Sequence, residues 1–269
     1  MSGALRTDDN AASGVRRADS SSAIPLLAHT EALSERVYRA ILQMLGQGSL
    51  ARGAMLRIND LSTTLGVSAT PVREALARLA ATGLVVHEAR KGYRIAPPPS
   101  AERLRALMDA RKLIEAAAVV RACRDGGEAF RVELAAALAA QRVEVENLHS
   151  TRRANRAERA ALEWRVLEAD LHFHHVIFDH AHNPFIRLMA QALNAQLHRV
   201  RQSAEHGLGD ADQALLEHEA ILKAVETGSP EAAEREMLRH MALVEKRSEA
   251  DLLCVGSSSL SREMDEAAR

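Results

Sequence analysis

Apolar residues between Ala69 and Gly83 recur with a helical period. Val72, Ala75, Leu76, Leu79 and Ala80 stand at i, i+3, i+4, i+7 and i+8, one face of an amphipathic helix. Pro71 suits the first turn, where backbone donors have no partners, and Ser68 or Thr70 can cap its start. Upstream, the pattern predicts helices over about Ala32–Gly46 and Ile58–Leu65, with Gly66-Val67-Ser68 as a tight turn. Downstream the period shortens: Leu84–Glu88 and Gly92–Ala96 read as two strands around an Ala-Arg-Lys turn. Pro97-Pro98-Pro99-Ser100 then forms a stiff linker, since prolines continue neither a helix nor a strand ladder. Beyond it helices are expected at about 101–124, 128–149, 155–182, 185–206, 211–227 and 231–252, separated by Gly and Pro breaks.

The expected organisation is therefore mainly α. A tail at 1–29 lacks periodicity, a winged helix-turn-helix occupies 30–96, the linker 97–100, an all-helical bundle 101–254, and a second tail 255–269. Two short helices joined by a glycine turn place the second helix in a DNA major groove. Arg73 lies near the start of that helix and off its apolar stripe, where a guanidinium reaches a guanine edge or a phosphate. Arg90 and Lys91 at the hairpin tip suit a wing contact with the minor groove or backbone. An isolated arginine is more often only a solvated charge, so the argument rests on the whole arrangement.

Charge sharpens this division. The chain carries −1 overall, yet Thr30–Ala96 holds nine Lys/Arg against five Asp/Glu, which leaves −5 for the residues from Pro97 onward. A basic module joined to an acidic one suits a double-stranded DNA reader tied to a domain that avoids DNA. Two cysteines imply no disulfide framework, and no apolar run reaches the roughly 18–20 residues of a membrane span. The N-terminus lacks a signal-peptide core, so a cytoplasmic protein with no membrane partner is expected.

The helical part holds a second kind of pattern. Asp170 and His174 are i and i+4 on one helix, on a stripe with Val166, Ile177 and Ala181. His218 interrupts a stripe of Leu215, Leu222 and Val225, and His240 one of Ala233, Met237 and Val244. One histidine on an apolar stripe is usually a hydrogen-bonded core residue. Three, with a carboxylate, satisfy each other poorly without a cation. Three nitrogens and one oxygen suit Zn²⁺, or Ni²⁺ or Mn²⁺ with added waters. His172 and His175 point off this face, while spacing leaves His182, two turns beyond His174, as a further candidate. Arg111, on an inward stripe with Leu107, Ile114 and Ala118, either clamps the carboxylate of a small effector or pairs with Glu115 at i+4. Asn183 is a weaker candidate for the effector pocket.

The string Leu61-Ser-Thr-Thr-Leu-Gly-Val-Ser-Ala-Thr-Pro-Val-Arg-Glu-Ala-Leu76, with Leu79 and Gly83-Leu84-Val85, resembles the winged helix-turn-helix of the GntR family of bacterial regulators. The resemblance implies Thr70, Arg73 and Gly92 as DNA-contact positions. Family members usually carry an arginine where this chain has Ala69, so that contact is not carried over. Asp170-Leu-His-Phe-His174, Asn183-Pro184, Glu217-His218 through Gly228, and His240 resemble the FCD ligand-sensing domain of the FadR-type branch. Its metal-binding members imply Asp170, His174, His218 and His240 as ligands, and an Arg-x-x-x-Glu at Arg111 as an effector contact. The expected function is a DNA-binding regulator, a repressor by expectation and a homodimer, whose operator affinity follows an organic acid bound at a metal. The alternatives are a metal-dependent hydrolytic enzyme and a bundle with a purely structural ion. The first lacks a local motif naming a general base, with only Glu168 or Glu217 to hand.

Overall fold

The computed structural model describes residues 32–47, 49–50, 53–97, 99–151, 154–203 and 208–267; for 194–203, 208–209 and 253–267 only the backbone is described. The expected tail at 1–29 lies outside these residues. Helix α1 (Leu33–Gly46) is followed by strand β1 (Met55–Leu56), α2 (Ile58–Leu65), α3 (Ala69–Ala81) and the hairpin β2 (Val85–Glu88) and β3 (Gly92–Ile95). Helix α2 stops at Gly66, which takes the left-handed conformation (φ 65°) that glycine adopts without a Cβ penalty. Ser68 occupies the N-cap position of α3 in extended backbone, but its side chain makes no capping hydrogen bond.

Strand β1 is absent from the sequence reading. Two residues are too few to show an alternation, and the strand exists because Met55 and Leu56 pair with Arg94 and Tyr93. The sheet order is β1-β3-β2, both pairings antiparallel, with Val85 opposite Ile95 and Glu88 opposite Gly92. Arg94 ties it together, bonding Glu88 and donating to the Gly53 carbonyl at 2.9 Å.

The remaining helices are α4 (Ala101–Asp125), α5 (Gly127–Ser150), α6 (Arg156–His180), α7 (Pro184–Ser203), α8 (Leu208–Glu226) and α9 (Pro230–Ala267). Ser100 caps α4, and Asn155 with Glu158 forms a capping box at the start of α6. Helix α4 packs on α9 and α6, α5 on α6 and α8, and α8 on α9. Phe130, Phe173, Ile177, Ile221 and Met237 fill the middle of this bundle. One expectation is corrected. The sequence reading ended the last helix near 252 and gave a tail from 255, whereas the backbone stays helical to Ala267. Only Gly256 interrupts it, at a cost of about 1 kcal/mol, and no proline follows. A helix already nucleated carries that cost.

The reader and the bundle share a core despite the prolines between them. Trp164, Leu167 and Leu171 of α6 belong to the same apolar cluster as Leu45 of α1, Leu76 and Leu79 of α3, and Ile95 of β3. Gly46 ends α1 against the Trp164 ring so closely that a Cβ there would stand 2.1 Å from Cζ3.

Candidate metal centre and DNA-reading face

His174 on α6, His218 on α8 and His240 on α9 are almost completely buried, and one ring nitrogen of each lies within 4.8 Å of the others. Three helices thus bring together residues 66 positions apart in sequence, from His174 to His240. Each ring is oriented from behind. The Nδ1 of His174 lies 2.8 Å from Glu115 Oε2, that of His218 2.7 Å from Gln141 Oε1, and that of His240 2.7 Å from Glu217 Oε2. Carboxylate and carbonyl oxygens only accept, so each Nδ1–H donates and, in a neutral ring, each Nε2 is left bare. Two of these bare nitrogens, on His218 and His240, face each other at 3.3 Å. Lone pairs at that distance repel unless a cation or a proton stands between them.

Asp170 is also buried and adjoins this trio. Its Oδ1 lies 3.9 Å from His218 Nε2 and accepts from Gln141 Nε2 at 3.5 Å. Gln141 therefore links the carboxylate to one imidazole and fixes the orientation of both. Phe173 stacks on His218 with ring centroids 4.1 Å apart, which closes that side with an apolar plane.

The electrostatics favour a neutral His240 and ionised Glu115 and Glu217. Burial holds His240 below its ordinary value, against the opposing pull of Glu217. Burial pushes Glu115 up, but the charges of His174 and Arg111 and the hydrogen bonds from both outweigh it and bring the carboxyl down to about 2. Glu217 is likewise lowered: the bonds from His240 and Arg247 overcome the effect of burial. Arg247 clamps Glu217 through both Nη atoms at 2.7 and 3.0 Å, and its Nε meets Asp210.

The other expected residues divide. Arg111 is buried and bonds Glu115 Oε1 through Nε at 3.2 Å and Nη2 at 2.7 Å. The i, i+4 pairing and the inward position thus both hold, and only Nη1 is without a partner among the described residues. Asn183 caps α7, its Oδ1 accepting from the amides of Phe185 and Ile186, and it shares no hydrogen bond with the histidine group. His172 and His175 are exposed, and His182 is exposed beyond the end of α6. Gln141, Glu115 and Glu217 complete the centre, and the sequence reading gave none of them this role. Gln141 interrupts the α5 stripe of Leu134, Leu138 and Val145, the same signal that singled out the histidines.

On the reader, Thr70 and Arg73 are exposed on the first turns of α3, and Arg90 and Lys91 are exposed at the hairpin tip. Arg90 holds φ 67° and Gly92 φ 103°, the left-handed turn of a three-residue hairpin loop. The side chains of Arg73 and Arg90 have no hydrogen-bond or ion-pair partner among the described residues. Arg78, by contrast, bonds Glu35 at 2.6 Å and lies 4.3 Å over the Tyr38 ring.

Comparison with known proteins agrees with this division. The model of the bacterial regulatory proteins, gntR family, matches residues 33–95, and that of the FCD domain matches residues 106–243. A protein of Paenarthrobacter nicotinovorans named "Probable D-xylose utilization operon transcriptional repressor" is 28% identical over 218 residues, covering 78% of this chain and 86% of its own. The HTH-type transcriptional repressor RspR of Escherichia coli K12 is 26% identical over 212 residues, covering 79% and 87%. Among solved structures, E. coli McbR/YncC shares the fold with a TM-score of 0.67 at 18% identity, over 81% of this chain and 98% of that one. A GntR transcriptional regulator from Rhodococcus sp. RHA1 does so with 0.63 at 22%, over 81% and 97%. A winged reader joined to a helical bundle defines a DNA-binding transcription regulator, and these relatives are regulators rather than enzymes. The chain belongs to the GntR family of bacterial regulators, in the branch that carries an FCD domain. Among the described residues no helix is long and apolar enough to cross a membrane.

Proposed function

We propose that this regulator is a repressor whose operator affinity is set by a small organic acid bound at a divalent ion held by Asp170, His174, His218 and His240. The observation that carries the metal reading is the arrangement of three buried imidazoles with their Nδ1 atoms engaged, one ring nitrogen of each within 4.8 Å of the others, and the Nε2 atoms of His218 and His240 facing each other. The nitrogen-rich donor set suits Zn²⁺ first, and Ni²⁺ or Mn²⁺ with waters added. Such an ion supplies a Lewis-acidic point to which a carboxylate binds. Repression follows the named relatives, two of which are repressors.

Thr70, Arg73, Arg90, Lys91 and Gly92 form the DNA contact in this reading. The unspent side chains of Arg73 and Arg90 support it. A single reader touches few bases, so a homodimer on a two-fold operator is the expected assembly. Arg111 offers the effector Nη1 rather than its whole fork, because Glu115 occupies the rest. Asn183 is spent on its cap and adds little to the effector site.

The near-complete burial of the three imidazoles also favours a second reading, in which the ion only ties the helices. The test is metal analysis of the purified protein and of His218→Ala and His240→Ala, with DNA binding measured across hydroxy-, keto- and dicarboxylic acids. Stoichiometric metal lost in both variants, together with an acid that shifts DNA affinity, is the expected result. Metal that survives both substitutions overturns the site. Metal without any acid response leaves the structural ion.

A further inference from the structure

Helix α6 serves the metal centre and the reader with two neighbouring stripes. Asp170 and His174 face the histidine group, while Trp164, Leu167 and Leu171 enter the reader's apolar cluster. Leu167 and Leu171 each stand three residues before Asp170 and His174, so on a helix each lies beside a ligand-side residue. At the near end of the same helix Trp164 presses on Gly46, with no room for even a methyl group between them. Helix α1 packs in turn on α3, and Glu35 of α1 bonds Arg78 of α3. Close-packed interiors pass a displacement on rather than absorb it.

We propose that α6 couples occupancy of the metal centre to the placement of the recognition helix α3, with the Trp164–Gly46 contact as the joint between bundle and reader. The inference rests on the metal reading above and adds its route to DNA. An ion drawing Asp170 and His174 toward His218 and His240 moves the turns that carry Leu167 and Leu171, and the floor of the reader moves with them. DNA affinity changes to the extent that the loaded and unloaded placements of α3 differ in their fit to DNA.

Trp164 is the one tryptophan of the chain, so its emission reports the joint directly. The experiment strips the full-length protein with a chelator and reloads it with zinc. Zinc stoichiometry, Trp164 emission and affinity for a duplex selected from a random library by the wild-type protein are followed. The same DNA measurements are made on Gly46→Ala and Trp164→Phe; the second keeps an apolar ring in the cluster but is too short to press on Gly46 as the indole does, and it tests the joint even where the first does not fold. In the wild type, zinc is expected to shift the emission and to change DNA affinity about tenfold, within the usual range for coupled sites. Both variants are expected to bind zinc as the wild type does, while the zinc-dependent change in DNA affinity falls to less than about threefold. Zinc that binds and alters DNA affinity fully in both variants, with Trp164 emission unmoved in the wild type, overturns the joint and leaves the metal centre standing. Zinc that binds without altering DNA affinity in the wild type overturns it as well. Failure of the wild type to bind stoichiometric zinc removes the centre itself, and the coupling with it.

Discussion

Arg73 and Arg78 lie one and a half turns apart on α3 and have different fates. Arg78 is engaged by Glu35 and Tyr38, whereas Arg73, on the exposed face, has no partner among the described residues. Arg73→Ala is expected to weaken operator binding by about 1–3 kcal/mol with the melting temperature unchanged, as measured by titration at fixed salt. Equal affinity in the two proteins would remove Arg73 from the contact. Glu115 governs a second residue-scale outcome. Its folded carboxyl sits at about 2, below the ordinary 4.5, so it contributes stability that is present above 4.5 and lost as pH falls toward 2. His240 is likewise depressed from 6.5, so the unfolded chain takes its proton first and stability falls as pH drops below that value. Thermal melts of metal-free protein across pH should show both declines, and Glu115→Gln should make the lower one shallower, with Glu217 supplying the part that remains. The same variant weakens the orientation of His174 and should reduce zinc affinity about 10–100-fold by competition titration. Arg111→Ala is a poor probe of effector binding, because it leaves Glu115 buried without that partner. Arg111→Lys keeps the charge and alters the geometry, and is the better variant.

At the scale of elements, the long helices were legible because a 3.6-residue period survives any tertiary context that buries one face. What escaped was set by pairing or by propagation. Strand β1 is two residues held by β3, and the end of α9 runs on past Gly256. The buried histidines and Asp170 were legible as polar breaks in apolar stripes, but the groups behind them were not. Glu115 reads first as a partner of Arg111, and Glu217 as a generic acid beside His218. Only the crossing of α4, α5 and α8 behind the three rings gives them their task. Asn183 is a different case, a polar residue expected near the pocket whose oxygen accepts from the first amides of α7. Asn183→Ala is expected to cost about 1 kcal/mol in denaturant melts, with metal content and acid response unchanged. A changed acid response at full metal content would return Asn183 to the effector site.

For the whole molecule, a charge contrast and a proline run suggested two bodies on a string, and the packing is more continuous than that. A two-fold assembly should place its readers on half-sites about one helical turn, roughly 34 Å, apart on one face of the duplex. Footprinting of the selected duplex measures this spacing, and protection of a single half-site by a monomer would contradict it. The apolar cluster that crosses from α1 and α3 to α6 carries a further consequence, for how the chain comes apart. A reader cut free at the prolines loses the cover of Trp164, Leu167 and Leu171 and turns the uncovered side chains toward water. The excised fragment should therefore be sticky and easily melted, and recombinant work on operator recognition is better done with the intact polypeptide. Heating that intact polypeptide should give one cooperative transition by calorimetry rather than two, because the interior of the reader is completed by α6 of the bundle.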